Sequence, residues 1–217
     1  MAKRYGYIIV IYIITLFSAI PGVKLLMSTT SLGVYEAYSY WSIFSFLLGL
    51  AAMLLLLKPE MRKERSGGPF SIGSYIGWIA LGILLAFFAQ YASAAVEYLM
   101  YGNRTASENT KTIMEFGRQT PLFLLVPALI GPILEEIVFR KIIFGWLYRP
   151  GYFFVAALAS SLIFGVVHGE LRHLVVYASM GFVFAYLYKK TNRIIVPIAV
   201  HMALNSLTVI LQYNISA

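Results

Sequence analysis

Two adjacent glutamates, Glu135 and Glu136, lie inside a segment of the chain, residues 121–147, that is otherwise mainly apolar. Each ionised side chain at the centre of a membrane costs about 2.5 to 3.5 kcal/mol on insertion scales, so such a pair needs partners and by default indicates a functional site. Two of the chain's three histidines, His168 and His201, follow in later apolar segments. The chain must therefore fold so that several helices meet around the glutamates.

The composition indicates an integral membrane protein. Hydrophobic residues make up 60% of the 217 positions, charged residues 12%, and the mean hydropathy is +0.78. Soluble domains are about 45 to 50% apolar and about a quarter charged. Only helices and closed barrels satisfy every backbone group in lipid, and these apolar runs are longer than the roughly 10-residue strands of a barrel. We predict an all-α, polytopic transmembrane helical bundle.

A spanning helix needs about 20 mainly apolar residues. Seven segments meet or approach this length: 7–27, 37–57, 71–96, 121–147, 152–168, 173–188 and 194–213. We therefore expect about seven to eight spanning helices in a single integral membrane domain over residues 1–217. Pro21 predicts a kink in the first helix, and Pro132 predicts a kink or break just before Glu135. The first segment lacks a signal-peptide cleavage pattern, so we expect it to remain as a span.

The net charge of +8 bears on topology. Lys and Arg residues of membrane proteins mark cytoplasmic loops, so nucleic-acid binding is not expected. Basic clusters at the N-terminus, in a predicted loop over 58–69, and over 140–149 and 189–193 place these regions inside. We predict a multi-pass protein of the cell membrane with a cytoplasmic N-terminus and a polar loop over 98–120 outside. The absence of cysteine excludes disulfides and thiol chemistry.

The two glutamates are expected to have different roles. Glu136 and Arg140 are four residues apart with the acid first, the better orientation for an ion pair on one helix face. Glu135 shares its face with Phe139 instead. The spacing thus predicts a structural pair between Glu136 and Arg140 and leaves Glu135 for chemistry.

Later segments carry groups that complete a hydrolytic site. His168 follows Phe164 by four residues, and His201 and Asn205, also four apart, share one helix face. Glu135 with His168 could hold a water molecule and take its proton, while His201 and Asn205 could donate hydrogen bonds to an oxyanion. The chain has no Gly-x-Ser-x-Gly and no His-Glu-x-x-His motif, so the usual serine and zinc-protease routes are unsupported.

One length argument opposes this arrangement. At 1.5 Å per residue, His168 lies about 24 Å along a fifth helix that begins at residue 152, whereas His201 lies only about 10 Å into the seventh. A tilted or late-starting fifth helix, or an interfacial segment around residues 142–148, must bring the two histidines together.

Other interpretations remain open. A histidine at a loop edge, such as His173, is usually a satisfied interfacial residue. The same Glu and His residues could form the proton relay of a transporter, or the chain could be a catalytically silent immunity or scaffold protein. Glu135, His168 and His201 could also bind a divalent metal such as zinc, and the spacing does not choose between a metal-dependent and a metal-free glutamate mechanism.

The three motifs together resemble those of a known family. Glu135-Glu136-x-x-x-Arg140, Phe164-x-x-x-His168 and His201-x-x-x-Asn205 resemble the CPBP family of intramembrane proteases, which joins type II CAAX prenyl endopeptidases with bacteriocin-processing and self-immunity proteins. The resemblance covers residues 121–211, which would form the catalytic core.

The resemblance implies a hydrolase, often called a metalloprotease, that acts on a peptide or protein substrate in the lipid bilayer. It implies that Glu135 and His168 activate water and that His201 and Asn205 stabilise the oxyanion. Glu136 and Arg140 would shape the site. Prenyl specificity does not carry over from the resemblance, and the residues carry no signal for the identity of the substrate.

Overall fold

A computed structural model of the chain describes residues 2–65, 70–103 and 106–215, and every regular element in these ranges is helical. The predicted all-α fold is confirmed. Five segments are long and apolar enough to cross a membrane: Val34–Glu60, Ile72–Tyr101, Pro121–Leu147, Leu171–Thr191 and Ile195–Asn214. A bent pair, Lys3–Phe17 with Ala19–Thr29, makes a sixth if it counts as one span, and Phe153–Val167 is a shorter apolar helix. The predicted count of seven to eight is therefore approximate.

The helices are numbered along the chain. They are α1 (Ala2–Phe17), α2 (Ala19–Thr29), α3 (Val34–Arg65), α4 (Ile72–Tyr101), α5 (Glu108–Gln119), α6 (Gly131–Glu136), α7 (Gly145–Leu147), α8 (Phe153–Val167), α9 (Leu174–Thr191) and α10 (Ile195–Ile215). Short 3₁₀ turns cover Pro121–Leu124 and Leu171–His173, and π-helical turns cover Val126–Ile130 and Ile137–Phe144.

Two predicted loops are corrected by the structure. Helix α3 continues through Pro59 to Arg65, because the Lys, Glu, Met and Arg residues on either side of the proline are good helix formers. The prediction of a loop over 58–69 is thus wrong up to residue 65, and residues 66–69 lie outside the described part of the chain. The polar stretch 98–120 contains the end of α4 and all of α5 rather than one loop. Residues 104 and 105 of that stretch are not among those described.

The predicted kink at Pro21 is confirmed as a break between α1 and α2. The two helices meet at an angle of 47° on either side of Ser18. A proline ring clashes with the carbonyl four residues earlier, which here belongs to Phe17, the last residue of α1.

The described residues form two compact units. The first draws on Met1–Pro69, Thr112–Leu134 and Asn205–Ala217, and in it α1 and α2 pack on α3. Gly22 on α2 lies so close to Trp41 on α3 that a Cβ atom would overlap the indole ring. The indole is fixed there, since its Nε1 donates to the Ser18 hydroxyl at 3.1 Å. Small residues at such contacts let two helix backbones approach closely.

The second unit consists of Phe70–Lys111 and Glu135–Leu204, and in it α9 packs against both α4 and α8. Its core combines α4, α9 and the first half of α10 in one buried apolar cluster: Ala86, Phe184, Leu187, Val196, Val200 and Leu204. Close contacts again use glycine, because a Cβ at Gly181 would lie 3.0 Å from Ser161. This unit carries the titratable residues described next.

The contact at Gly22 predicts the effect of adding one methyl group. We expect Gly22→Ala to destabilise the protein by about 1 to 3 kcal/mol, the usual cost of overpacking, because the Trp41 indole must move. Thermal unfolding in detergent measures the change. Gly6→Ala is the matched control, since nothing lies within 4 Å of its added Cβ and alanine favours the helix. Equal unfolding temperatures for the two variants would contradict the close contact.

Candidate active site

The segment that carries the glutamates is an irregular but continuous helix. Helix α6 lies between two π-helical turns, Val126–Ile130 and Ile137–Phe144, and π turns are frequent at functional sites. Glu135 and Glu136 are the last two residues of α6. The predicted break before Glu135 is therefore a change of helical pitch and not an end of the helix.

Pro132 leaves one carbonyl of the first π turn without a backbone donor, and Asn205 supplies the hydrogen bond. The N–H of Gly131 bonds to the carbonyl of Val126, five residues earlier. The same pattern would pair the Pro127 carbonyl with residue 132, but Pro132 has no N–H. Asn205 Nδ2 donates to that Pro127 carbonyl at 2.9 Å. In the first unit Asn205 thus satisfies a backbone oxygen that the helix leaves without its regular donor.

Glu136 lies at the centre of the polar cluster in the second unit. Its side chain is 0% exposed, its Oε2 lies 3.2 Å from Arg140 Nε, and its Oε1 lies 3.0 Å from His201 Nδ1. The ion pair predicted from the four-residue spacing is present. The contact with His201, which is 65 residues away in sequence, was not predicted from the spacing.

Aromatic rings surround the buried guanidinium of Arg140. Its Cζ lies 4.5 Å from the ring centroid of Phe164, 5.3 Å from that of Phe184 and 5.9 Å from that of Phe139. A cation over an aromatic face is attracted by the ring quadrupole, and the attraction grows to about 2 kcal/mol when the pair is desolvated. Phe139 and Phe164 also contact each other edge to face at 5.2 Å. Glu136 and these rings together compensate for the burial of Arg140.

His201 connects the two glutamates. Its Nδ1 faces Glu136, its Nε2 lies 3.6 Å from Glu135 Oε2, and its ring stacks on Phe184 at 4.7 Å. The contact between Nδ1 and Glu136 orients the imidazole and directs Nε2 to Glu135. The Glu135 side chain is 19% exposed, in contrast to the fully buried Glu136. The two acids therefore differ in environment, as expected from the sequence.

His168 follows the last residue of α8. Its Nδ1 lies 2.8 Å from the Phe164 carbonyl, a contact that requires Nδ1–H and leaves a lone pair on Nε2 of the neutral ring. The Phe164 ring contacts both imidazoles, at 4.5 Å for His168 and 5.9 Å for His201. The two histidines thus flank one phenylalanine, so the structure closes the gap that the length argument left between them. Helix α8 starts at Phe153, one residue after the expected start, so a later start of this helix is not the reason.

Sequence reasoning missed a buried carboxylate. Glu97 lies in the last two turns of α4, accepts a hydrogen bond from the N–H of Val176 at 3.3 Å, and lies 3.0 Å from His173 Nδ1. The predicted third span ended at residue 96, which put Glu97 in a polar loop. The actual end of α4 at Tyr101 buries it. His173 is the satisfied residue at a loop edge that its position indicated.

The described residues do not fit a three-ligand metal site. Among them, no group of three or more His, Asp or Glu side chains is arranged to hold a metal ion. Glu136 is engaged by Arg140 and His201, and His168 Nδ1 by a backbone carbonyl. The metal site at Glu135, His168 and His201 stays a prediction.

These observations define a membrane protein of several helices with a buried cluster of carboxylates and imidazoles. Residues 117–207 match the family model described as type II CAAX prenyl endopeptidase Rce1-like. YdiL of Bacillus subtilis (strain 168), whose name describes it as a candidate membrane peptidase, is 43% identical to this chain. The match covers 98% of this chain and 90% of YdiL. The membrane-embedded CAAX protease MroQ of Staphylococcus aureus (strain USA300) is 31% identical over 94% of this chain and 87% of its own. No solved structure shows a significant match to the chain.

The chain belongs to the Rce1-like family of type II CAAX prenyl endopeptidases. The family and these relatives indicate a membrane peptidase. The resemblance that the three sequence motifs indicated is thereby confirmed.

The buried position of Glu136 predicts a stability effect. We expect Glu136→Gln to lower the free energy of unfolding by about 3 to 5 kcal/mol, because it leaves Arg140 buried without its anion. Unfolding in detergent measures this loss. Glu135→Gln, the same change at the adjacent, partly exposed residue, should cost much less. Equal losses for the two variants would remove the structural role of Glu136.

Proposed function

We propose that this protein is an intramembrane endopeptidase that hydrolyses a membrane-associated peptide or protein with a water molecule activated by Glu135 and His168. One observation carries the proposal. Glu135 is the partly exposed carboxylate of the cluster, next to a fully buried and ion-paired Glu136, and its Oε2 lies 3.6 Å from His201 Nε2. Family membership supports the same class of reaction.

In the proposed reaction Glu135 is the general base. It removes a proton from water as the oxygen bonds to the scissile carbonyl carbon, and the carbonyl oxygen becomes an oxyanion. The lone pair on His168 Nε2 supports the water as a hydrogen-bond acceptor. Glu135 then returns the proton to the leaving amine as the C–N bond breaks. Water is consumed, and the products are a carboxylic acid and an amine.

The oxyanion needs hydrogen-bond donors, and we assign this role to His201 and Asn205. In its imidazolium form His201 keeps one N–H on Glu136 and can offer Nε2–H to the substrate. The amide of Asn205 has two N–H bonds, of which the contact with Pro127 uses one. Removal of one such donor typically costs about 10² to 10³ in kcat. Glu136 and Arg140 act only by holding His201 and the surrounding rings.

The test removes the carboxylate of Glu135, the proposed base, and keeps the shape of its side chain. In detergent, we expect Glu135→Gln to lower cleavage of quenched fluorescent peptides by about 10² to 10⁴, the usual contribution of a general base, with binding retained. The peptides are supplied with and without a prenyl group, so that the substrate class is read in the same assay. Glu108→Gln is the matched control, because the Glu108 side chain is 78% exposed and forms a surface ion pair with Lys111. Addition of a chelator to the parent protein tests metal dependence.

The alternatives give different results in parallel measurements. A proton-coupled transporter would lose flux in sealed vesicles with Glu135→Gln and cleave no peptide in any form. A silent immunity or scaffold protein would keep its cellular phenotype with Glu135→Gln, His168→Ala and His201→Ala combined. Either outcome would reject the endopeptidase.

We also propose that the N-terminus and the basic segment around Lys190 face the cytoplasm. The chain has no cysteine, so single cysteines report topology directly. A membrane-impermeant thiol reagent added outside intact cells should label Ala106→Cys and leave Lys190→Cys unlabelled. Both residues are exposed in the structure. The reverse pattern would invert the orientation and the side from which the substrate enters.

A further inference from the structure

We infer that Tyr177 and Glu170 form a positioning pair that fixes the imidazole of His168. The inference rests on the proposed function, because the fixed imidazole is the one to which we assign a role at the attacking water. Tyr177 lies on α9, and Glu170 lies in the turn after α8. Neither residue belongs to the three motifs that identified the site.

The first contact is between two rings. The phenol ring of Tyr177 stacks on the imidazole of His168, with centroids 4.1 Å apart and an angle of 25° between the planes. The hydrogen bond from His168 Nδ1 to the Phe164 carbonyl acts at one edge of the imidazole. The edge contact sets which nitrogen carries the proton, and the stack sets the plane of the ring. Nε2 therefore keeps one orientation.

The second contact holds the phenol itself. The Tyr177 hydroxyl donates to Glu170 Oε2 at 2.7 Å. Gly169, with φ of +74°, lets the chain turn immediately after His168, so that Glu170 reaches the hydroxyl of Tyr177 seven residues further along the chain. The link from Glu170 through Tyr177 to His168 thus closes within ten residues of sequence.

The carboxylate of Glu170 is anchored from a different part of the unit. Ser107 Oγ donates to its Oε2 at 2.8 Å, and the backbone N–H of Asn109 donates to its Oε1 at 3.1 Å. Burial alone would raise the pKa of Glu170, but the hydrogen bonds from Tyr177, Ser107 and the backbone outweigh it and lower the pKa. Glu170 is therefore an anion near neutrality, and hydrogen bonds to an ionised acceptor are about twice as strong as neutral ones.

The segment has a second, separate anchor, so that the pair can be altered without loss of the fold. Glu97 accepts from the Val176 N–H and contacts His173, and Arg172 donates to Asn103. These contacts do not involve Tyr177 or Glu170. They hold the start of α9 against the end of α4 independently. The specific effect of the positioning pair is to fix the imidazole of His168. A displacement of about 1 Å at a catalytic group can cost about 10²-fold in rate.

The experiment compares variants in two readouts. Tyr177→Phe keeps the ring and removes the bond to Glu170, Tyr177→Leu removes the ring, and Tyr186→Phe removes a hydroxyl from another tyrosine of α9 as the matched control. In ¹⁵N-histidine-labelled protein we expect Tyr177→Leu to shift the His168 ring resonances and to broaden them. We expect kcat to fall by up to about 100-fold with KM nearly unchanged. Tyr177→Phe and Glu170→Gln should give smaller effects of equal size, and Tyr186→Phe none.

A cycle with His168→Ala separates positioning from simple packing. If Tyr177 acts through His168, Tyr177→Leu should cause no further loss of cleavage once His168 is alanine. Independent losses in the double variant, or unchanged His168 resonances in Tyr177→Leu, would overturn the inference. Should Tyr177→Leu not fold, Tyr177→Phe and Glu170→Gln carry the same test. Unreduced cleavage in His168→Ala alone would instead contradict the proposed function, while the resonances would still report on the pair.

Discussion

The buried ion pair between Glu136 and Arg140 is the interaction on which the rest of the second unit depends. Both side chains are completely buried, and two ions taken out of water are stable only with close geometry and further partners. Arg140 finds them in the rings of Phe139, Phe164 and Phe184. Those rings come from the glutamate segment, α8 and α9. Compensation for one buried cation thus determines how three helical segments pack.

The same compensation places the histidines. Phe164 touches Arg140 and both imidazoles, while Phe184 touches Arg140 and stacks on His201. Glu136 uses its second oxygen to orient His201. The residues proposed for chemistry are therefore held by groups whose own position follows from the ion pair. A change at Arg140 should be transmitted to His168 and His201 without any direct contact with a substrate.

Spacing within one helix could be read from the sequence, and contacts between helices could not. The Glu136–Arg140 pair follows from a separation of four residues, which holds even though Arg140 lies in a π-helical turn. The bond from His201 to Glu136 has no such signature. The predicted end of the third span at residue 96 also left Glu97 in a loop, although α4 continues to Tyr101. Helix ends depend on what each residue can bury or pair with, and here the partner of Glu97 is His173, which lies 76 residues away.

Polar residues in apolar helices have two kinds of role in this chain. Some serve the backbone: Ser160 Oγ donates to the Phe139 carbonyl at 2.6 Å within the π-helical stretch, where the change of pitch alters the regular pairing of carbonyls. Others carry the charges proposed for catalysis. The first kind need not lie near a substrate to be essential, because an unsatisfied carbonyl in lipid costs several kcal/mol.

Asn205 serves the backbone and is also a proposed oxyanion donor, and this affects how its variants can be interpreted. Its Nδ2 satisfies the Pro127 carbonyl, which Pro132 cannot do, in the helix that leads directly to Glu135. Asn205→Ala would remove a proposed oxyanion donor and would also leave that carbonyl without its donor. Loss of cleavage in this variant could follow from a shift of the glutamate segment alone. Loss of cleavage in Asn205→Ala therefore shows that this amide matters, and it does not by itself separate oxyanion stabilisation from support of the backbone.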